Sequence, residues 1–159
     1  MKLKGSQILA GTPQQVWDLL TDPARLAKCL PGCERLEPAG DDRYTVEMKL
    51  GLAAVSGRYA GSVALSEKKP PTSFRMKMEG KGAGSFVNGE GKIELADLKG
   101  ATQVRYAGEA QVGGAIAAVG QRMMEAAAKN IVQQFFENAA ALLKSAREAG
   151  GSPGPARRG

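Results

Sequence analysis

Few residues of this chain can carry chemistry, because it contains no histidine. Without imidazole, Ser-His-Asp and Cys-His nucleophile pairs, a histidine general base and histidine-based zinc sites are all excluded. Carboxylates, lysines and tyrosines remain as acid–base groups. The composition therefore favours a binding protein over an enzyme.

The two cysteines, Cys29 and Cys33, lie in the stretch Cys29-Leu30-Pro31-Gly32-Cys33. Their C-x3-C spacing differs from the C-x-x-C redox motif, and two thiols alone cannot complete a zinc site. Pro31-Gly32 is typical of a tight turn, which would leave both thiols as small half-buried apolar groups. The alternative is a docking loop for a partner protein, formed by Cys29, Pro31, Gly32 and Cys33. The sequence predicts neither a metal site nor a cofactor.

An enzymatic interpretation would depend on Tyr59, Tyr106, Glu90 and Glu109. Both glutamates alternate with apolar residues, so we expect them to face outward. A catalytic carboxylate is typically buried, with a raised pKa. We therefore predict no catalytic residue, and keep a small cyclase- or hydrolase-type enzyme as the alternative.

The charged residues indicate neither nucleic acid binding nor secretion. Lysine and arginine number 22 against 16 aspartate and glutamate, a formal net charge of +6. They are scattered, and Lys68-Lys69 is the only adjacent basic pair before the C-terminal Arg157-Arg158, whereas nucleic-acid interfaces cluster them on one face. The N-terminus lacks the apolar core of a signal peptide, and no apolar stretch could span a membrane. We expect a cytoplasmic location, with the inner face of the membrane as a second location.

Two short helices follow the first strand in the pattern of the sequence. Thr12, Pro13 and Gln15 form a helix start with a capping box. Asp22-Pro23 repeats that logic for a second helix, which closes at Pro31-Gly32.

From residue 34 to about residue 112, apolar and polar residues alternate, clearly so over 44–52 and 55–65. This period of two predicts an antiparallel sheet with one covered face. Glycines recur inside these strands, where they are typical of bends and close backbone approach. The glycine-rich stretch 80–85 lacks the strand-then-helix setting of a phosphate loop, and we interpret it as a bent strand edge.

A long helix is predicted from Ala115 to Arg147, and residues 148–159 have the composition of a disordered tail. The folded domain would thus span residues 1–147. The C-terminal half of the helix has a wide apolar face that includes Val132, Phe136 and Leu143. That face either packs against the sheet or is exposed to a partner protein, a second copy of the chain or a membrane surface.

The predicted fold class is α+β: a strongly curved antiparallel sheet of about seven strands wrapped around the long C-terminal helix. A curved sheet and a straight helix cannot touch everywhere, which leaves a natural apolar cavity for a hydrophobic small molecule. Methionines predicted to face inward suit an irregular ligand, although they also fill ordinary cores. The predicted ligand-binding residues are Trp17, Met48, Leu50, Tyr59, Phe74, Met76, Met78, Tyr106, Met123, Ala127 and Ile131.

Several segments resemble the CoxG family, that of the G-subunit of carbon monoxide dehydrogenase, within the START-like (SRPBCC) helix-grip superfamily. The resemblance covers about residues 1 to 144, and the Pro-Gly-Cys segment after Asp-Pro is its most specific part. The matching segments are Val16-Trp17, Asp22-Pro23, Leu26, Cys29-Leu30-Pro31-Gly32-Cys33, Gly80-Lys81-Gly82-Ala83-Gly84-Ser85, Gly89-Glu90-Gly91, Tyr106, Val112-Gly113-Gly114-Ala115, Gly120-Gln121-Arg122 and Ala128-Lys129.

This resemblance implies a non-catalytic accessory role beside a molybdenum hydroxylase of the carbon monoxide dehydrogenase type. It implies a hydrophobic ligand held under the terminal helix, a quinone or a lipid-like molecule, and help in recruiting the enzyme to the membrane. Longer members continue into a Pro-rich linker and an apolar C-terminal anchor, a segment that the printed sequence does not contain. The resemblance supplies no catalytic residues.

Overall fold

The computed structural model describes residues 1–51 and 56–150. Leu52 and Val55, which the alternation assigned to strands, lie outside the described residues. In chain order the elements are β1 (Lys2–Leu9), α1 (Pro13–Thr21), α2 (Pro23–Cys29), β2 (Cys33–Pro38), β3 (Arg43–Leu50), β4 (Gly57–Lys69), β5 (Ser73–Gly82), β6 (Ser85–Asp97), β7 (Thr102–Gly114), a 3₁₀ segment (Ala115–Val119) and α3 (Gln121–Gly150).

The two short helices begin where their capping residues predict. The Thr12 hydroxyl accepts a hydrogen bond from the Gln15 N–H at 3.1 Å, and the Gln15 side chain accepts one from the Thr12 N–H at 2.8 Å. This reciprocal pair is a capping box. At α2, the Asp22 carboxylate accepts from the Ala24 N–H at 3.2 Å. The hydrogen bond from Arg25, more than the one from Ala24, lowers the pKa of Asp22.

The strands form one seven-stranded antiparallel sheet in the order β1-β7-β6-β5-β4-β3-β2. Apart from β1, each strand pairs with its neighbour in sequence, so the sheet is a meander whose edges are β1 and β2. The inner face carries the apolar members of each alternating pair and packs on the helices. The predicted α+β helix-grip architecture is confirmed.

The glycine-rich stretch 80–85 is a tight β-hairpin turn, so its interpretation as a bent strand edge is wrong. Gly82 pairs with Ser85 across the end of β5 and β6. Between them, Ala83 and Gly84 have φ of 52° and 73°. Two central residues with positive φ define the hairpin turn whose twist matches the flanking strands.

The start of the terminal helix also differs from the prediction of a continuous helix from Ala115. A 3₁₀ segment comes first, between Gly114 and Gly120, whose φ values of 81° and 94° break the helical path. Since a 3₁₀ helix has three residues per turn, the phase of the apolar stripe changes across the break. Met124 is therefore buried, whereas Met123 is 49% exposed. α3 continues to Gly150, past the predicted end at Arg147.

The buried apolar residues form two separate clusters. We call the larger one the closed core: Leu9, Val16, Trp17, Leu19, Leu20, Cys29, Tyr44, Val63, Leu65, Phe74, Leu95, Val104, Phe136, Ala139 and Leu143. The small cluster consists of Ile116 and Met124, with Met1, Leu50, Val112, Val119 and Ala127 packed against it. α3 contributes to both clusters, so the inner face between them is the region where the sheet and the helix are least tightly joined.

Candidate functional site

Five glycines lie on the inner face of the sheet between the two clusters. Gly61 is opposite Gly80, and Gly91 is opposite Gly108, with Gly89 next to them on β6. All five are half-buried, and the residues on either side of each glycine in the chain are exposed on the outer face. We call Gly61, Gly80, Gly89, Gly91 and Gly108 the glycine band. Along this band the sheet offers no side chain to the helix.

Close approach of neighbouring strands explains two of these glycines. A Cβ atom on Gly61 would overlap the carbonyl oxygen of Glu79, and one on Gly91 would lie 2.8 Å from the carbonyl oxygen of Ala107. Real Cβ atoms do not tolerate such distances, so the sheet coils as tightly as it does because these positions lack a side chain.

The two halves of α3 pack differently against the rest of the protein. In the C-terminal half, Ala139 and Leu143 are 0% and 5% exposed. In the N-terminal half, Ala127, Ala128 and Ile131 on the same helix are only half-buried. The helix therefore closes the interior at one end and leaves it less tightly covered beside the glycine band.

Three predicted ligand-binding residues lie within or against the closed core. Trp17 and Phe74 are buried in edge-to-face contact, with ring centroids 5.4 Å apart and planes at 87°. Met76 is half-buried and packs against this core. The two aromatic rings thus form the wall of the interior rather than a flexible surface within it.

The predicted residues nearest the glycine band are Met48, Tyr59 and Met78. Met48 and Tyr59 are half-buried and directly opposite each other on β3 and β4. Desolvation raises the pKa of Tyr59. Met78 lies over Gly89, where an added Cβ would be 3.3 Å from its Cγ, and it remains 38% exposed. These side chains border the band without closing it.

The remaining predicted residues of the site belong to the small cluster and to α3. Leu50 and Ala127 pack against the small cluster, and Ile131 is half-buried. Met123 faces solvent, and its neighbour Met124 takes the inward position that the sequence pattern assigned to it.

Two grooves open beside the N-terminal half of α3. The β1–α3 groove has a volume of about 260 Å³ and is lined by Lys2, Leu3, Lys4, Tyr106, Glu125, Lys129 and Val132. The β7–α3 groove has a volume of about 550 Å³ and is lined by Met1, Phe86, Ala110, Gln111, Val112, Ala117, Gly120, Gln121 and Met124. Tyr106 is the predicted ligand-binding residue that lines one of them.

Sequence reasoning missed the lysines of the β1–α3 groove. Lys2, Lys4 and Lys129 come from opposite ends of the chain, and in the sequence they resemble isolated solvated charges. No spacing along the chain connects them, because it is the position of α3 beside the edge strand β1 that brings them together.

The segment from Leu30 to Cys33 is a tight turn, as the Pro-Gly pair predicts. The Cys33 N–H donates to the Leu30 carbonyl oxygen at 3.3 Å, and Gly32 has φ of 71°. Proline followed by a residue with positive φ is typical of a type II turn. The Lys49 N–H donates to the Gly32 carbonyl oxygen at 2.8 Å, which fixes the turn to β3. Local geometry thus accounts for Pro31 and Gly32.

Both thiols are free, and they differ in burial. Cys29 is 0% exposed, and desolvation raises its pKa to about 11. Cys33 is half-buried, and desolvation raises its pKa as well. The Asn138 side chain donates to the Cys29 carbonyl oxygen at 3.0 Å and so ties α3 to the end of α2. Raised pKa values leave little reactive thiolate at neutral pH.

The candidate catalytic carboxylates are exposed on the outer face, so the prediction that they face outward is confirmed. Glu90 and Glu109 are opposite each other on β6 and β7. Lys77 is opposite Glu90 on the next strand, and Lys2 approaches Glu109 at 3.9 Å. Over the residues that the structure covers, no group of three His, Cys, Asp or Glu side chains could hold a metal ion.

The wide apolar face of α3 is covered, so its interpretation as a free surface for a partner, a second copy or a membrane is wrong. Phe136 and Leu143 are 8% and 5% exposed, and Val132 packs against the closed core. The wide face is needed because α1, α2 and the sheet all converge on this half of the helix. No helix in the described ranges is long and apolar enough to cross a membrane.

Comparison with solved structures shows how widely this fold occurs. A conserved protein from Geobacillus kaustophilus is 37% identical over 92% of this chain and 97% of its own, with a TM-score of 0.89. A protein from Chromobacterium violaceum is 22% identical over 89% and 95%, with a TM-score of 0.69. A START superfamily protein from Mycobacterium smegmatis is 10% identical over 91% and 97%, with a TM-score of 0.70. The last two likenesses concern the fold alone.

A search of curated proteins finds no match to this chain. The family model described as CoxG, the G-subunit of carbon monoxide dehydrogenase, matches residues 5–144. That range contains every strand except the first residues of β1, together with α1, α2 and most of α3. The chain has a START-like fold and belongs to the CoxG family of carbon monoxide dehydrogenase.

Proposed function

We propose that this protein binds a hydrophobic small molecule between the inner face of its sheet and the N-terminal half of α3. In this role it is a non-catalytic accessory protein of a molybdenum hydroxylase of the carbon monoxide dehydrogenase type. The ligand is a quinone or a lipid-like molecule, and the folded domain of residues 1–147 is the binding unit.

The glycine band is the observation that carries this proposal. A sealed interior is filled with side chains at close to crystal density. Here Gly80 and Gly108 have no side chain on the inner face, while Ala127 and Ile131 across from the sheet are half-buried rather than covered. An apolar molecule in this position would cover both surfaces and contribute about 0.8 kcal/mol for each buried CH₂ group.

The methionines give this site its tolerance for ligand shape. Met48 and Met78 have unbranched, polarisable side chains that adapt to an irregular surface at little cost. Met78 lies at the band and is 38% exposed in the free protein, so it would lose solvent contact when a ligand binds. Trp17 and Phe74 would form a rigid wall at the far end.

The accessory role follows from membership in the family, whose name designates a component of carbon monoxide dehydrogenase. A protein that holds a lipophilic electron acceptor beside such an enzyme would supply a compound that water cannot carry. The membrane is the natural source of that compound, which accounts for a role in bringing the enzyme to the membrane.

Native mass spectrometry of the purified protein, with solvent extraction of the same sample, tests ligand binding. We expect a population heavier than the bare chain and an extractable apolar compound at a comparable molar ratio. A bare mass, together with no binding of added decylubiquinone or decanoate, would overturn the proposal.

The turn that includes Cys29, Pro31, Gly32 and Cys33 is proposed as the docking loop for the enzyme. Gly32 is unsuitable for a docking test, because its φ of 71° and the neighbouring Lys49 carbonyl oxygen leave no room for a side chain without strain in the turn. Pro31→Glu keeps the turn and adds a charge at a half-buried position. Reduced capture of a purified carbon monoxide dehydrogenase-type holoenzyme is expected, with unchanged binding of decanoate as the control. Unchanged capture would remove the loop from the interface.

A further inference from the structure

The β1–α3 groove is the cationic part of an otherwise apolar interior. Lys2 and Lys4 on β1 and Lys129 on α3 line it, against one acidic residue, Glu125. Within the described residues, Lys4 and Lys129 have no ion-pair partner. Glu125 already accepts a hydrogen bond from the Gln121 amide at 3.0 Å. The groove therefore carries positive charge that the protein itself does not neutralise.

A half-buried hydroxyl group lies at the base of this groove. The Tyr106 ring stacks on Phe136, with centroids 5.8 Å apart and planes 24° from parallel. Its hydroxyl lies over Gly5, where an added Cβ atom would overlap it. Among the described residues, this hydroxyl has no hydrogen-bond partner. Polar groups at such depth usually have one, so a ligand or water is needed to satisfy it.

The groove is continuous with the glycine band. Tyr106 and Gly108 are two residues apart on β7, so they lie on the same face, roughly 7 Å apart. Leu3 and Val132 give the groove half-buried apolar walls on either side of the tyrosine. A molecule with its apolar part along the band would reach the groove with the end nearest Tyr106.

We propose that the β1–α3 groove binds the polar head of an amphiphilic ligand, and that this head is an oxygen acceptor, either a carboxylate or a carbonyl group. Lys4 and Lys129 would supply ammonium donors, and Tyr106 would supply its hydroxyl. Ammonium groups donate and never accept hydrogen bonds, so they select against a cationic head. This inference rests on the proposed function and specifies the chemistry of its ligand.

The groove has room for a small head group. Its volume of about 260 Å³ exceeds that of a carboxylate. Since a water molecule takes up about 30 Å³ of liquid, the groove could hold several waters that a head group would displace.

Three ligands with similar apolar chains and different heads test the inference by calorimetric titration at pH 7.5: decanoate, undecan-2-one and decylamine. We expect decanoate to bind most tightly, the ketone within about tenfold of it, and the amine at least tenfold more weakly than decanoate. Equal affinity for all three, or preference for the amine, would overturn the inference and leave the ligand-binding function standing. Absence of binding by any of the three would count against the ligand-binding function itself.

Charge substitutions locate the head group. The double variant Lys4→Gln/Lys129→Gln should weaken decanoate binding about tenfold, with a smaller effect on undecan-2-one. The matched control Lys77→Gln/Lys92→Gln removes the same charge from the outer face and should leave both affinities unchanged. If the two double variants weaken decanoate equally, the groove is not the binding site of the head.

Tyr106→Phe separates the hydroxyl from the ring. The variant retains the aromatic ring that stacks on Phe136, so the fold should be preserved. We expect decanoate and undecan-2-one to bind about fivefold more weakly, the size of one ordinary hydrogen bond. Unchanged affinity for both ligands would exclude the hydroxyl as a donor.

Discussion

Gly80 is a member of the glycine band where a side chain can be added without disturbing the backbone. The nearest atom to a Cβ built on Gly80 is the Ala60 carbonyl oxygen at 3.9 Å, an ordinary contact distance. Its neighbours Met78 and Gly82 alternate with it along the inner face of β5. The substitution Gly80→Leu would therefore point a leucine side chain into the space assigned to the ligand.

The expected effects on ligand and on stability have opposite signs. Leucine adds four carbon atoms, and displacing four ligand carbons at about 0.8 kcal/mol each would cost about 3 kcal/mol, or roughly two hundredfold in Kd. The free energy of unfolding should stay the same or rise by up to about 1 kcal/mol, because glycine is a poor strand residue. In a filled interior, the same leucine would instead destabilise the protein by about 1–3 kcal/mol.

Titration with the neutral apolar dye N-phenyl-1-naphthylamine measures the first effect, and urea denaturation measures the second. Ala60→Leu is the matched control, because Ala60 is exposed on the outer face of the adjacent strand. This control should bind the dye like the parent protein. If Gly80→Leu lost stability and bound the dye as tightly as the control, the space would be filled in the free protein and the reasoning would be refuted.

Three further predictions concern the framework of the site. Burial raises the pKa of Cys29 from its ordinary 9.0 to about 11, so the folded thiol keeps its proton where the unfolded one loses it, and the free energy of unfolding should fall between pH 9 and 11. Its decline, on the order of 2 kcal/mol, should be missing from Cys29→Ala, and identical pH profiles would contradict the assignment. Gly32→Ala should destabilise by about 2 kcal/mol or more in urea denaturation, because alanine is strained at a φ of 71° and its Cβ would overlap the Lys49 carbonyl oxygen. Thr102→Val should cost about 1–2 kcal/mol, since it removes the buried hydroxyl that donates to the Gly11 carbonyl oxygen at 2.8 Å. An unchanged urea midpoint in either variant would contradict the role given to that residue.

Local signals in the sequence were sufficient for the helices and strands. Thr12 and Gln15 form the capping box that their spacing predicts, because this motif depends only on atoms within one turn. Alternation along β7 correctly separated the exposed Glu109 from the half-buried Tyr106. A period of two reports the side of a strand directly.

The path of the backbone at glycines was not predictable in the same way. Residues 115–119 are apolar and alanine-rich, so helix propensity alone extends α3 back to Ala115. The positive φ values of Gly114 and Gly120 depend on the junction with β7, which propensity does not encode. The exchange of Met123 for Met124 follows from that one break.

The candidate site is the part that depends most on tertiary structure. Sequence alternation indicates which residues face inward, but the distance between α3 and the sheet depends on where the helix is held. The closed core holds it at Ala139 and Leu143, and the β1–α3 groove results from its position beside Lys4. No local pattern contains that information.

The location of a bound apolar molecule is the most direct test of the account. We suggest crystals grown with 1-bromooctane, with the bromine located by its anomalous scattering. The account predicts a bromine position between the glycine band and the N-terminal half of α3, within van der Waals contact of Met78 or Ile131. A bromine position outside this space, or an interior filled by protein side chains with no bromine, would contradict it.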